Sequence, residues 1–160
     1  MTAALFRSVL FNDIGPLDES FGSYLEDVDF GLRCALAGRT GIYVPQAVSH
    51  HVGSATSGEW SKDTVRRIAR NQVLLAKKHF QGLPVWRIVA GQLLWGLVTL
   101  RHGRGFSYLQ GKVEGIFAAA PSRSRFSNDA LEASERQIFD LQTQTGFDRY
   151  WRAYFWLSRR

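Results

Sequence analysis

The chain has 160 residues, a net charge of +6 and a sequence pI near 9.9. With 45% hydrophobic and 21% charged residues, it is too apolar for a disordered chain and long enough for one domain, with or without an appendage. A single cysteine, Cys34, excludes an internal disulfide framework and a cysteine-rich zinc site, and favours a reducing compartment. The apolar run at residues 2–7 is too short for a secretory signal, and no run of about 18 apolar residues predicts a membrane span.

Charge is distributed unevenly along the chain. Residues 1–60 carry three basic and seven acidic side chains, residues 61–127 carry twelve basic and two acidic, and residues 128–160 carry five of each. The acidic segment indicates carboxylate chemistry or cation binding, whereas the basic segment indicates phosphate, a membrane surface or nucleic acid. Sixteen of the twenty basic residues are arginine, whose planar guanidinium favours anion contact, although a solvated basic surface explains the same composition.

Short elements joined by tight turns are predicted before the first regular helix. Residues 2–11 are apolar and predict a strand that runs into a short helix, and the turn-forming residues at 12–16 lead into a loop over 18–24. The helix is predicted over 26–37, with Glu26 and Asp27 in its first turn, where the helix dipole favours carboxylates.

The remaining elements are predicted from periodicity and from the residues that break it. Asp29 and Arg33, four residues apart, are expected to pair, and Gly38 is expected to end the helix. The elements that follow are a strand over 40–44, an extended piece over 47–52, a flexible loop over 53–58, helices over 62–80, 85–100 and 106–119, a linker over 121–127, a helix over 128–145 with Asn128 as N-cap, and an aromatic amphipathic tail over 147–157.

The side chains best suited to chemistry lie at the start of the first helix. Carboxylates at a loop-to-helix junction can bind a divalent cation, take a proton from a nucleophile, or cap the helix. Neighbouring carboxylates raise one another's pKa, which suits Asp27 beside Glu26 as a general base. His51 lies 24 residues after Asp27, beyond a helix and a strand that can return it to the helix start, and an imidazole with carboxylates suits Mn²⁺ or a similar ion. Helix capping with a surface histidine remains the open alternative.

The order and spacing of these residues resemble the C-terminal half of a family 2 glycosyltransferase of the rhamnosyltransferase-like GT-A type. The motifs that carry the resemblance are Gly15-Pro16-Leu17-Asp18-Glu19-Ser20-Phe21, Tyr24-Leu25-Glu26-Asp27-Val28-Asp29 with Arg33, Ala37-Gly38-Arg39, Tyr43-Val44-Pro45 with His51 six residues after Pro45, Ser54-Ala55-Thr56-Ser57, and Arg70-Asn71. The match covers about residues 3–80, roughly half of the chain. Each motif is weak alone, and the set is specific in its order.

The resemblance implies inverting transfer of a sugar from a nucleotide-sugar donor to a hydroxyl of a glycan or lipid-linked acceptor. Asp27 would be the general base, and Glu26 would support the acceptor or tune Asp27. His51 would help to hold a divalent metal, Mn²⁺ or Mg²⁺, that neutralises the leaving diphosphate. A plain carboxylate at the helix start is the structural alternative for Glu26.

The resemblance also suggests roles around these residues. Asp18 and Glu19 would line the acceptor site or order its loop. Trp60 would stack on a sugar, although a core position is equally ordinary for tryptophan. Arg70 and Asn71 would contact the donor phosphates or the flexible loop before them, and a plain pair on the helix surface is the alternative.

An α/β fold is implied: a partial GT-A (nucleotide-diphospho-sugar transferase) fold that lacks its N-terminal nucleotide-binding half, followed by C-terminal amphipathic helices. The predicted units are residues 1–82 as the acceptor and base half, 83–120 as amphipathic, membrane-associated helices, and 121–160 as linker and helical tail. The family's donor half and its Asp-x-Asp metal motif have no counterpart in the sequence. The chain is therefore expected to be a fragment, inactive alone, or to work with a partner chain that supplies the donor half.

The resemblance and the basic middle segment together predict a location. They favour a cytoplasmic protein, peripheral on the inner face of the cytoplasmic membrane, in cell-envelope polysaccharide synthesis, with residues 85–100 on anionic lipid. A helix packed on the domain is the alternative for 85–100. The alternative function is a non-catalytic membrane- or partner-binding module derived from a glycosyltransferase. Nucleic-acid binding is not expected, because only the pI supports it and no nucleic-acid-binding motif accompanies it.

Overall fold

The computed structural model describes residues 4–42, 44, 46–50, 60–119, 121 and 127–158. Within these residues a short 3-10 helix spans Glu19–Phe21. The α-helices of the described residues are α1 (Val9–Ile14), α2 (Glu26–Leu36), α3 (Lys62–His79), α4 (Val85–Arg101), α5 (Gly105–Phe117), α6 (Asn128–Thr145) and α7 (Arg149–Ser158).

The predicted α/β fold class, a partial GT-A fold, is wrong: the described part of the chain is helical and contains no strand or sheet. Where strands were predicted, the backbone makes local turn bonds, from Ala47 N–H to Val44 O and from Val48 N–H to Gln46 O. A strand requires a neighbouring strand that supplies a ladder of hydrogen bonds, and turn bonds take that place here. Tyr43, Pro45 and residues 51–59 lie outside the described residues.

The helices predicted from periodicity are confirmed to within two residues at each end. Gly38 ends the first of the long helices as predicted, with a φ of 67° that favours glycine. Arg39 N–H donates to Cys34 O at 2.9 Å and Gly38 N–H donates to Ala35 O at 3.0 Å, which is the hydrogen-bond pattern of a Schellman motif.

The N-cap of α6 differs from the prediction by one residue. Ser127, not Asn128, caps the helix, because the Ser127 hydroxyl accepts a hydrogen bond from Ala130 N–H at 3.1 Å. Both residue types are good N-caps, so the sequence alone does not separate them.

Helices α3 and α5 approach each other closely because two glycines of α5 face the α3 backbone. A Cβ added at Gly111 would lie 2.1 Å from the carbonyl oxygen of Arg66, and one added at Gly115 would lie 2.7 Å from that of Arg70. Lys77 of α3 then closes the C-terminal end of α5 by donating to three of its last carbonyls, those of Gly115, Ile116 and Ala118.

Two small apolar clusters pack the N-terminal segment and the α4–α5 helices against α3. Near the start of α3, Val65 and Ala69 pack with Tyr108 of α5, and Trp60 and Trp95 pack around them. Near its end, Leu74 and Leu75 pack with Phe21 of the 3-10 helix, with Leu25, Leu32, Phe80 and Ala118 around them. Helix α3 is therefore the element that the N-terminal segment and α5 share.

Helices α4 and α5 form an antiparallel hairpin. Its facing pairs are Leu100 with Gly105, Gly96 with Tyr108, and Gln92 with Lys112. The Lys112 ammonium donates to Gln92 of α4 and also to Gln72 Oε1 of α3 at 2.7 Å, so this one side chain joins three helices.

The two C-terminal helices attach to α4. Arg87 of α4 pairs with Glu135 of α6 at 3.1 Å, and the Tyr154 hydroxyl of α7 donates to the same carboxylate at 2.7 Å. No helix of the described residues is long and apolar enough to cross a bilayer.

The close contact of α5 with α3 predicts a large effect of a single methyl group. In Gly111→Ala the Cβ would overlap the Arg66 carbonyl, and we expect the free energy of unfolding to fall by about 2 to 3 kcal/mol as the helices separate. The matched control is Gly31→Ala in α2, where no atom lies within 4 Å of the added Cβ and helix propensity should raise stability by up to about 1 kcal/mol. Urea unfolding of both variants checks this, and equal stabilities would contradict the packing.

Candidate active site

The backbone just before α2 is held in an unfavourable conformation. Tyr24 and Leu25 have φ values of 73° and 67°, in the left-handed region that L-residues other than glycine seldom occupy. Two such residues in succession cost energy and persist only where surrounding contacts impose them. Glu26 and Asp27 follow at once, so this loop sets the direction in which both carboxylates point.

Asn71 of α3 supplies the contacts that impose this loop. Its side chain is fully buried, and its amide nitrogen donates to the carbonyl oxygens of Phe21 at 2.8 Å, Ser23 at 2.9 Å and Tyr24 at 2.7 Å. The Tyr24 hydroxyl also lies 3.1 Å from the hydroxyl oxygen of Thr64, two turns before Asn71 on α3. Thus α3 fixes the loop from two positions.

The Asp29 carboxylate anchors α2 itself. It is fully buried and lies 2.7 Å from His79 Nε2, 2.8 Å from Lys78 Nζ and 3.0 Å from Arg33 Nε. The predicted pair of Asp29 with Arg33 is therefore confirmed. Burial acts to raise the pKa of Asp29, but hydrogen bonds from His79 and Lys78 and the nearby positive charges outweigh it and lower the pKa. Since an ionised carboxylate only accepts, His79 carries its proton on Nε2.

Arg33 extends this network to the turn that precedes the 3-10 helix. Its guanidinium donates to the carbonyl oxygens of Ile14 at 2.7 Å and Pro16 at 2.7 Å. The buried carboxylate of Asp29 and the carbonyls of the turn therefore share one arginine, which fixes the turn on α2.

Asp18 is placed in a structural position on the same network. Its side chain caps the 3-10 helix by accepting from Ser20 N–H at 3.0 Å, and it pairs with the buried ammonium of Lys78 at 2.6 Å. Partial burial acts to raise the pKa of Asp18, but the hydrogen bonds from Lys78 and Ser20 lower it to about 2. Both oxygens of Asp18 are thus engaged by the protein itself.

Asp27 and Glu26 stand at the N-terminus of α2, half-buried. Asp27 Oδ1 accepts from Val28 N–H at 2.9 Å. Burial acts to raise the pKa of Asp27, whereas the hydrogen bond from Val28 N–H acts to lower it. One oxygen of Glu26, Oε2, is shielded from solvent and has no hydrogen-bond partner among the described residues.

The other predicted site residues are dispersed around α3. Glu19 is exposed on the 3-10 helix. Arg70 donates through Nη1 to Ser20 O at 3.1 Å and to Asn71 Oδ1 at 2.8 Å, so it braces the loop that Asn71 holds. Trp60 precedes α3 and its ring stacks on His102 at 3.8 Å with an interplanar angle of 5°. The structure therefore brings Asp18, Arg70, Glu26 and Asp27 to one loop, with Trp60 beside the α4–α5 turn.

Three residues that support the site were missed or left undetermined at the sequence level. Lys78 and His79 carried no prediction, and Asn71 was noted without a definite role. Asn71, Leu74, Leu75 and Lys78 recur at intervals of three and four, so a polar residue on the apolar face of α3 was the available signal.

The predicted metal ligand cannot be placed, since His51 lies outside the described residues. Among those residues, no three His, Cys, Asp or Glu side chains converge in a manner that fits a metal ion. The carboxylates of Asp18, Asp27 and Asp29 are engaged by Lys78, His79, Arg33 and backbone N–H groups. We therefore assign no step of a reaction to a metal held by these residues.

Comparison with known proteins gives one family and two relatives. The family model described as Glycosyl transferase family group 2 matches residues 2–125. Two curated proteins of Mycobacterium tuberculosis, from strains CDC 1551 / Oshkosh and ATCC 25618 / H37Rv, are each named N-acetylglucosaminyl-diphospho-decaprenol L-rhamnosyltransferase. Each is 33% identical to this chain over 98 residues, which is 61% of this chain and 31% of the relative. The match thus spans less than a third of these relatives, and no solved structure matches the chain.

Removal of the Asn71 amide should loosen the loop before α2. Asn71→Ala removes an amide whose two N–H groups serve three carbonyl oxygens, at about 1 kcal/mol for each N–H, so we expect the free energy of unfolding to fall by about 2 kcal/mol. The matched control is Asn12→Ala on the exposed side of α1, with a change within about 0.5 kcal/mol. Denaturant unfolding measures both, and similar values for the two variants would show that Asn71 does not hold the loop.

Acid should weaken the fold through Asp18. Its pKa is about 2 in the folded chain against 3.8 unfolded, so its stabilising effect is complete above about pH 4 and is lost as the pH falls towards 2. This group should account for on the order of 2 kcal/mol over that window. Urea unfolding at several pH values should therefore give Asp18→Asn a shallower decline than the unchanged chain, and identical slopes would contradict the assignment.

Proposed function

The chain belongs to the glycosyl transferase family group 2, and from this premise we propose that it carries the acceptor and base part of an inverting glycosyltransferase. Asp27 is the proposed general base: its carboxylate takes the proton of an acceptor hydroxyl. The hydroxyl oxygen bonds to the anomeric carbon from the face opposite the leaving group, and the nucleoside diphosphate departs with the bonding electrons. The observation that carries the proposal is the half-buried Glu26–Asp27 pair at the end of a strained loop that α3 holds in place.

The electrostatics of Asp27 suit a base that acts late in the reaction. The hydrogen bond from Val28 N–H favours the ionised form of Asp27, so the carboxylate is ready to accept a proton at neutral pH. An ionised aspartate is a poor base towards a free hydroxyl. Proton transfer becomes favourable only as the new C–O bond forms and the hydroxyl becomes acidic, which couples the two events.

Glu26 is the proposed support of the acceptor. Its Oε2 is shielded from water without a hydrogen bond from the described residues, and a buried oxygen in that state costs free energy until a donor reaches it. An acceptor hydroxyl that donates to Glu26 would supply the missing hydrogen bond. It would then lie close to Asp27, the residue that follows Glu26.

The contacts of the other predicted site residues in the structure suggest a more specific role for each of them. Asp18 orders the loop through Lys78 rather than contacting the acceptor, whereas the exposed Glu19 remains an acceptor contact. Trp60 offers a sugar the ring face opposite His102. Arg70 uses Nη1 for the loop, which leaves Nη2 and Nε for a donor phosphate.

The donor is proposed to bind largely outside the residues described here. We propose a nucleotide sugar held by further sequence or by a partner chain, with Mn²⁺ or Mg²⁺ accompanying its diphosphate as in the family resemblance. The name of the Mycobacterium tuberculosis relatives supplies candidate substrates, namely activated L-rhamnose and a polyprenyl-diphosphate-linked N-acetylglucosamine. Cell-envelope glycan synthesis is the proposed setting.

The base role predicts a specific kinetic change. In the full-length protein, with any partner chain present, Asp27→Asn keeps the shape of the side chain but removes its basicity. We expect kcat to fall by 10² to 10⁴-fold with little change in KM for the acceptor, because general base catalysis contributes about that much. Release of nucleoside diphosphate and the mass of the glycolipid product measure turnover.

The matched control is Asp13→Asn, which neutralises an exposed carboxylate that pairs with Arg39 on the protein surface. We expect it to retain turnover within about twofold. Undiminished kcat in Asp27→Asn would refute the base role. A full-length protein that turns over no nucleotide sugar would favour the alternative, a non-catalytic module derived from a glycosyltransferase.

A further inference from the structure

The α4–α5 hairpin exposes two rows of large apolar side chains. Each row repeats at intervals of three and four, and the exposed fractions run from 43% to 84%. The rows are Trp86, Val89, Leu93, Leu97 and Leu100 on α4, and Phe106, Leu109, Val113, Ile116 and Phe117 on α5. We name these ten residues the hairpin face. At about 150 Å² for a large side chain, the face exposes on the order of 1,000 Å² of largely apolar surface, more than the largest patch of an ordinary monomer.

Helix geometry places both rows on one side of the hairpin. Successive residues of an α-helix are rotated by 100° about the helix axis. On each helix, the exposed row is rotated by about 100° from the side that contacts the other helix, and the direction of rotation, followed from N- to C-terminus, is the same for both helices. Gln92 and Gly96 mark that contact line on α4, and Tyr108 and Lys112 mark it on α5. Because the helices are antiparallel, equal rotations in one sense turn both rows to the same side. The rows therefore form one continuous surface rather than two separate stripes.

The surroundings of this face are basic. The hairpin carries four basic side chains and one acidic one; of the basic ones, Arg87 pairs with Glu135 and Lys112 is half-buried between the helices. At the turn between the two helices, Arg101 is exposed and Arg104 is half-buried, with its Nε bonded to Trp60 O at 2.6 Å. The single carboxylate of the hairpin, Glu114, is paired with Arg66 of α3 at 3.0 Å.

We propose that the hairpin face is a membrane-docking surface that lies in the interface of an anionic lipid bilayer. An apolar helical face a few ångströms deep among acyl chains, with arginines at headgroup level, is the arrangement of interfacial amphipathic helices. Neither helix is long and apolar enough to cross the bilayer, which agrees with a surface that lies in the membrane plane. The proposal extends the sequence prediction from residues 85–100 to both helices of the hairpin.

Charge selects lipid over a second copy of this chain as the occupant. In a two-fold dimer the turn with Arg101 and Arg104 would meet either the same turn or the other end of the hairpin, whose one carboxylate, Glu114, already pairs with Arg66. An anionic leaflet supplies the opposite charge, at a gain of about fivefold in binding for each arginine near the surface. The cytoplasmic leaflet of cell membranes carries such lipids.

Vesicle flotation tests the proposal with the full chain and defined lipids. We expect the protein to float with vesicles of phosphatidylcholine and phosphatidylglycerol at low salt, and to bind at least tenfold less to pure phosphatidylcholine. The double variant Leu97→Glu with Phe106→Glu should lower binding to anionic vesicles by tenfold or more. Arg101→Glu should lower it by a similar factor while leaving the apolar face unchanged.

The matched control is Leu141→Glu, an exposed leucine on α6 away from the hairpin. It should float as the unchanged chain does, and circular dichroism should show the same helix content for every variant. Absence of flotation at low salt would overturn the proposal, as would equal binding by the double variant and the control. A dimer by light scattering that the double variant dissociates, with no flotation, would assign the face to a second copy instead. None of these readouts depends on sugar transfer.

Discussion

A carboxylate with no access to water is stable as an anion only where donors surround it, and Asp29 is surrounded by three. Arg33 comes from its own helix, while Lys78 and His79 come from the last turn of α3, about 50 residues further along the chain. Each donor also constrains something else: Arg33 binds the turn at Ile14–Pro16 and Lys78 binds Asp18. The need to pair one buried charge thus assembles α2, the turn before it and α3 into one unit.

The candidate site lies one turn from that buried charge. Glu26 and Asp27 occupy the first turn of α2, and their direction depends on a loop whose conformation is unfavourable without Asn71. Rigid support from α3 is therefore built into the site, while the two carboxylates stay half-buried. Buried residues that fix the geometry of half-buried ones are what the proposed positioning of a base requires.

The structural predictions that were correct depend on residues that are close together in the sequence. The long helices, the pairing of Asp29 with Arg33 and the stop at Gly38 all depend on residues within five positions of each other. The family followed from the order of motifs. The strand predicted over 40–44 was wrong in its described residues, because a short apolar run does not distinguish a strand from an irregular segment without knowledge of its neighbours.

The contacts that hold the candidate site in place could not be predicted from the sequence, because they join residues far apart in the chain. Lys78 meets Asp18 across 60 positions and Asn71 meets Phe21 across 50, and nothing in local spacing specifies such pairs. The metal role of His51 stays a prediction.

The ammonium of Lys112, where α3, α4 and α5 meet, has a consequence for the solution behaviour of the protein. Burial lowers its pKa from 10.5 to about 7, so the folded chain releases this proton near neutrality while the unfolded chain retains it until far higher pH. The contribution of Lys112 therefore becomes more favourable to folding as the pH rises from about 7 to about 10. The helical hairpin and the Asp29 network thus both favour deprotonation, at opposite ends of the pH scale, and the chain should be best kept in mildly alkaline buffer.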